Sequence, residues 1–73
     1  MGAEMRNVNS ATIKAEGYDV GTGEFIVIYQ DGTTKTYVNV PPATAAAVID
    51  APRTQAHMQI ADNIASKFRE KGH

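Results

Sequence analysis

The sequence predicts a single α+β domain, a three-stranded antiparallel β-meander followed by two helices packed on one face of the sheet. Three observations carry this. Residues 24–40 are rich in apolar, aromatic and β-branched side chains on either side of Asp31-Gly32, which is a hairpin signal. Pro41-Pro42 then stops the sheet, because proline donates no ladder hydrogen bond. Beyond it alanine is frequent, and Ile60, Ile64 and Phe68 recur every four residues, an apolar stripe at helical spacing.

Taken in order, residues 1–9 are polar and aperiodic, so they read as a flexible lead-in to a domain spanning 10–73. MGAEMRNVNS shows no apolar run after its charges, so no signal peptide is expected. Ser10 to Asp19 holds a first short strand around Ile13 to Tyr18. VGTG at 20–23 is turn chemistry, with two glycines able to take positive φ. Glu24 to Gln30 is the strongest strand, and Thr33 to Val40 the third.

Side chains of a strand alternate between its faces. Phe25, Val27 and Tyr29 therefore face one way, and Ile26 and Ile28 the other. Two hairpin registers are open. A two-residue loop at Asp31-Gly32 sets Tyr37 beside Ile26. A three-residue loop, Gln30-Asp31-Gly32, is a type I turn with Gly32 as the left-handed bulge; it places Phe25, Val27, Tyr29, Lys35 and Tyr37 together and leaves Ile26 and Ile28 opposite.

The first helix is expected over Ala43 to Ala51, where alanine dominates and Val48 and Ile49 supply the bulk. Pro42 suits its first turn and Pro52 ends it. The second is expected from about Thr54 to Lys71, with Ala61 and Ala65 beside the isoleucine stripe and Gly72 as its stop. Two helices cover one face of a three-stranded sheet. The other face is left for another subunit or a ligand.

Composition narrows the function classes. A chain of 73 residues buries only about 60% of its unfolded surface, and small domains gain support from disulfides, metals or oligomerisation. Cysteine is absent and histidine occurs only as His57 and His73, so neither disulfides nor a metal site is expected, and oligomerisation is the support that remains. The lack of cysteine fits a reducing cytoplasm. No apolar stretch approaches the roughly 20 residues of a membrane span. The net charge of −1 gives no general attraction to polyanions, whose binders draw affinity from counterion release at many phosphates.

Val8-Asn9-Ser10 and Ile13, then Gly17-Tyr18-Asp19, then alternating Phe25, Val27 and Tyr29 with Gly32, then Tyr37 with Val40-Pro41, and finally Ala51 occur in one order and spacing. Across residues 8–51 this resembles the KTSC domain. That family is named for its place at the C-terminus of some lysyl-tRNA synthetases, and it also occurs as short stand-alone proteins, often phage-encoded. The resemblance implies RNA binding without established catalysis. Family members often carry aromatic residues at the positions of Lys35 and Tyr37, a periodicity that favours the three-residue loop. Here Lys35 departs from that pattern, PRTQAHMQ replaces a Ser-x-Gly segment, and Ile26 and Ile28 stand where relatives tend to be polar. The last change strengthens the case for a partner surface.

Candidate sites follow. Arg53 and Thr54 lie at the expected start of the second helix, where free N–H groups and Arg53 would receive a phosphate; otherwise Thr54 is an N-cap and Arg53 a solvated side chain. His57, one turn on, can stack on a base or donate to a phosphate, or simply pack beside Ile60 and Ala61. Tyr37 with Lys35 offers an aromatic face and a cation, against the alternative of core packing. Ser10 has no nucleophile elbow around it, GTGEF has no P-loop lysine, and the acidic residues are scattered, so no catalytic residue and no cofactor is expected. The expected function is a non-enzymatic, oligomeric binding module for a phosphate-bearing ligand, with Ile26 and Ile28 at the subunit interface. In its most concrete form it is a phage-type sponge that sequesters a host nucleotide second messenger in the cytoplasm. An RNA-binding module and a structural or protein-interaction element are the alternatives.

Overall fold

A computed structural model describes residues 4–72. The α+β class is as expected, but the sheet has four strands where the sequence showed three. Strands β1 (Glu4–Asn7), β2 (Ile13–Asp19), β3 (Glu24–Tyr29) and β4 (Thr34–Tyr37) are antiparallel and lie side by side in chain order. Helices α1 (Pro42–Ile49) and α2 (Ala56–Ile60) follow. The additional strand, β1, falls within the segment expected to be a loose lead-in. Its sequence, EMRN, has no alternation that marks a strand. Pairing with β2 makes it one, with Glu4 opposite Tyr18 and Arg6 opposite Glu16.

Gly17 permits that pairing. A Cβ at this position would stand 2.6 Å from the Glu4 carbonyl oxygen and collide with Met5 Sδ. The glycine needs no unusual φ here; its value is the missing side chain.

The β3–β4 hairpin has the three-residue loop. Gly32 is left-handed at φ 90°, its N–H bonds the Tyr29 carbonyl at 3.0 Å, and the Tyr29 N–H bonds the Thr33 carbonyl at 2.8 Å. Phe25 therefore pairs with Tyr37 and Val27 with Lys35, while Ile26 and Ile28 pair with Thr36 and Thr34. The first set faces the helices. Phe25, Val27, Ile13 and Ile64 have no accessible surface, and they form one core with Tyr37, Val48, Ala56 and Ile60.

Helix α1 begins with Pro41 extended at φ −65° and ψ 147° and Pro42 in its first turn. It buries Ala45 and Val48. After Pro52 a 3₁₀ turn, Arg53–Gln55, leads into α2, which continues as a π-helical turn over Ala61–Ala65. An α-helix has 3.6 residues per turn, so a strict four-residue stripe drifts around it. The wide turn, closed by the Ser66 N–H on the Ala61 carbonyl at 3.1 Å, absorbs the extra residue and keeps Ile60 and Ile64 in the core.

The second helix thus ends at Ala65 and does not reach Lys71 as expected. The reason is a competing partner for the backbone. The Val38 N–H bonds the Arg69 carbonyl at 2.9 Å and the Lys71 N–H bonds the Thr36 carbonyl at 2.6 Å, with Tyr37 bridged to Glu70. The chain end therefore runs along β4 and closes that edge, and Phe68 packs against the core on the way.

Candidate functional site

The residues expected to hold a phosphate-bearing ligand are divided between the two edges of the sheet. Arg53 is exposed, and its Nε donates to the Asn7 carbonyl on β1 at 3.1 Å. Thr54 and His57 are exposed beside it. Thr54 is not an N-cap: the 3₁₀ turn is preceded by Pro52, and neither that turn nor α2 has a side-chain cap. Lys35 and Tyr37 lie on β4. Three strand spacings separate β1 from β4, roughly 14 Å at ~4.8 Å each.

The two groups also differ in access. Tyr37 is 5% exposed. Burial pushes its phenol above the usual range, and the neighbouring Tyr29 and Glu70 push the same way. Its ring is core, not a stacking platform. The Lys35 ammonium lies 5.7 Å from the centre of the Tyr29 ring, a cation–π distance. The Ser10 hydroxyl accepts the Ile13 N–H at 2.9 Å, a local turn contact at the head of β2.

Ile26 and Ile28 are half-buried on the side of the sheet away from the helices. Met5 joins them there at 40% exposure, with buried Ala15 and Gly17 between. Asn7, Thr34 and Thr36 complete the face by strand register. Its central positions carry no charge.

A groove of about 910 Å³ opens between β1 and α1. Tyr18, Pro42, Ala46 and Ile49 give it apolar walls, and Glu4, Asp19 and Asp50 bring three carboxylates. Arg6 also lines it, but its guanidinium turns to the end of α1, where it donates to the Ile49 carbonyl and, at 3.4 Å, to the Ala51 carbonyl. Helix ends leave such carbonyls without intrahelical partners and bear partial negative charge. Arg6 satisfies both needs and ties the edge strand to the helix.

Sequence reasoning missed Glu16. It has no accessible surface, and among the described residues its two carboxylate oxygens have no hydrogen-bond partner. The signal was present in the register: Tyr18 opposite Phe25 sets Glu16 opposite Val27, on the core side.

These features fix the shape, and comparison with known proteins fixes the lineage. The model of the KTSC domain family matches residues 9–68. The chain belongs to the KTSC domain family. Strand β1 precedes the matched region, so in this KTSC domain Arg6 and the outer wall of the groove come from residues outside it. No match was found among curated proteins. Among the described residues no group of three His, Asp or Glu side chains is placed to hold a metal, and no helix is long and apolar enough to cross a membrane.

Proposed function

We propose that this KTSC domain is a non-enzymatic binding module that works as a closed homo-oligomer, its subunits meeting on the sheet face opposite the helices. One observation carries the reading: Met5, Ile26 and Ile28 lie on a face that the helices do not cover and whose central positions carry no charge. Such a face suits an isologous contact, in which the same patch meets itself about a two-fold axis. The Ser10 hydroxyl, engaged with the Ile13 main chain, supports the non-enzymatic half.

The ligand we propose for the assembly is small and phosphate-bearing, in its most concrete form a nucleotide second messenger that a phage-type sponge removes from the host cytoplasm. Support comes from Arg53, in the 3₁₀ turn, and His57, in the first turn of α2, both exposed. Lys35 and Tyr37 drop out of this site because they stand at the opposite edge.

Native mass spectrometry of freshly purified protein tests both halves, since it reports subunit number and any retained ligand together. The expected result is a dimer or higher closed oligomer that Ile28→Lys disperses, because the lysine would be buried without a partner. A monomer at high micromolar concentration overturns the assembly. Calorimetric titration with linear and cyclic nucleotides tests the ligand. Strongly salt-dependent binding of oligonucleotides in its place would favour the RNA-binding alternative.

A further inference from the structure

We propose that the β1 edge and the groove beside it form a second binding site, for an extended segment of a partner protein that alternates lysine or arginine with aliphatic residues. Its carboxylate-bearing wall is on the helix side of the sheet, away from Ile26 and Ile28, and only Met5 is common to it and the self-association face. Two features point to it.

The first is the state of the two sheet edges. The β4 edge is closed by the chain's own residues, through the Val38–Arg69 and Lys71–Thr36 bonds. Among the described residues the β1 edge is not closed in this way. The Val8 N–H bonds the Lys14 carbonyl at 2.9 Å, and hydrogen-bonded and non-bonded pairs alternate along an antiparallel ladder. The N–H and C=O groups of Arg6 therefore face β2, and those of Met5 and Asn7 face outward. Arg53 occupies the Asn7 carbonyl. Met5 presents both its groups and Asn7 its N–H to an added strand, and unpaired edge groups are a template for one.

The second is the chemistry of the groove. A strand added to β1 turns alternate side chains toward the helix side. There Tyr18, Pro42, Ala46 and Ile49 offer an apolar wall for a long aliphatic stem, and Glu4 and Asp50 offer carboxylates to its charged tip. Lysine and arginine have this build, an apolar stem with a charged head. The groove's own cation, Arg6, is committed to the end of α1, so it does not neutralise the carboxylates. Asp50 adds a specific argument. It caps the C-terminal end of α1, where a negative side chain is electrostatically disfavoured. Asp50 is exposed there and lines the groove, so its carboxylate is open to a cation from outside. On the other side of the added strand, the intervening residues meet exposed Met5, which suits aliphatic side chains.

The test uses the full chain and three labelled synthetic peptides followed by fluorescence anisotropy. One alternates lysine with valine, one alternates glutamate with valine, and one is the lysine–valine peptide N-methylated on alternate residues. The lysine–valine peptide is expected to bind saturably, while the other two fail. Asp50→Lys and Glu4→Lys are each expected to weaken binding about tenfold, the scale of one lost charge contact. Both residues are exposed, so the fold persists. Ile28→Lys should leave peptide binding unchanged, which separates this site from the self-association face. Equal binding of the glutamate peptide, indifference to Asp50→Lys, or no saturable binding of the lysine–valine peptide overturns the proposal. So does a change of subunit number in Asp50→Lys without peptide binding, which would assign the groove to a second copy of this chain.

Discussion

Arg6 and Glu16 face each other across the β1–β2 ladder, yet they form no ion pair. Among the described residues, Arg6 Nε and both Glu16 carboxylate oxygens are buried without hydrogen-bond partners. Arg6 is drawn to the end of α1, and Glu16 is left in the core layer. Burial pushes the Glu16 carboxyl above its ordinary value, and Arg6 pulls it back by less.

A pH dependence follows. In the unfolded chain Glu16 titrates near its ordinary 4.5. In the folded chain it holds its proton to higher pH, so its contribution to stability is complete below 4.5 and is lost as pH rises through the raised folded value. Urea midpoints of the parent should therefore fall over that range relative to Glu16→Gln, which has no proton to lose. Parallel profiles for the two proteins would show that Glu16 does not titrate in this way.

Arg6→Ala should destabilise the fold by about 1–3 kcal/mol, the scale of hydrogen bonds to a charged donor. The loss should concentrate in β1, where hydrogen exchange of the β1 amides measures it. Protection unchanged in β1 would mean that its pairing with β2 suffices without the tie to α1.

Gly17→Ala should expel β1 from its register. The added methyl meets the Glu4 carbonyl at 2.6 Å, and a backbone oxygen cannot rotate away as a side chain can. A cost of about 1–3 kcal/mol is expected, as for other overpacked sites. Met5→Ala in the same chain should not restore stability, because it clears the sulfur and not the carbonyl. A full rescue in thermal melts would locate the conflict at Met5 alone.

Thr54→Ala should change stability by no more than about 0.5 kcal/mol, as at an ordinary surface position, because Thr54 caps nothing. Arg53→Ala should have a similarly small effect on melting, since its bond to Asn7 is exposed. In nucleotide titrations it should nevertheless weaken binding by roughly ten- to a hundredfold, the scale of a charge-assisted phosphate contact. A ligand bound equally well by Arg53→Ala moves the nucleotide site elsewhere.

Removal of residues 69–73 should uncover the β4 edge. Lys71 also pairs with Glu24 at 2.8 Å, but an exposed, solvent-screened pair adds little to stability. The larger loss comes from the backbone bonds to Thr36 and Val38. The truncated protein should show faster amide exchange at Val38 and a stronger tendency to associate, read by light scattering. Lys71→Ala alone should do neither.

The hairpin and its faces were legible because their signals are local: alternation from Phe25 to Tyr29 and a glycine at 32 that takes φ 90°. The family pattern chose between the two registers that alternation left open. Strand β1 was not legible, since EMRN gains its conformation from β2 and from the helix-end carbonyls that Arg6 reaches. The end of the second helix was hidden for a related reason. Residues 66–71 continue a helical composition, but β4 competes for their backbone. The expected ligand residues failed to converge because sequence gives each residue a local role, while the distance from β1 to β4 depends on strand order. Glu16 was within reach, since the β2–β3 register fixes its side.

The bonds from Arg6 to the Ile49 and Ala51 carbonyls span 43 and 45 positions. During synthesis, β1 precedes the other three strands of this domain but cannot complete its attachment until the end of α1 has emerged and formed. Within the domain, the strand made earliest is therefore among the last to be secured.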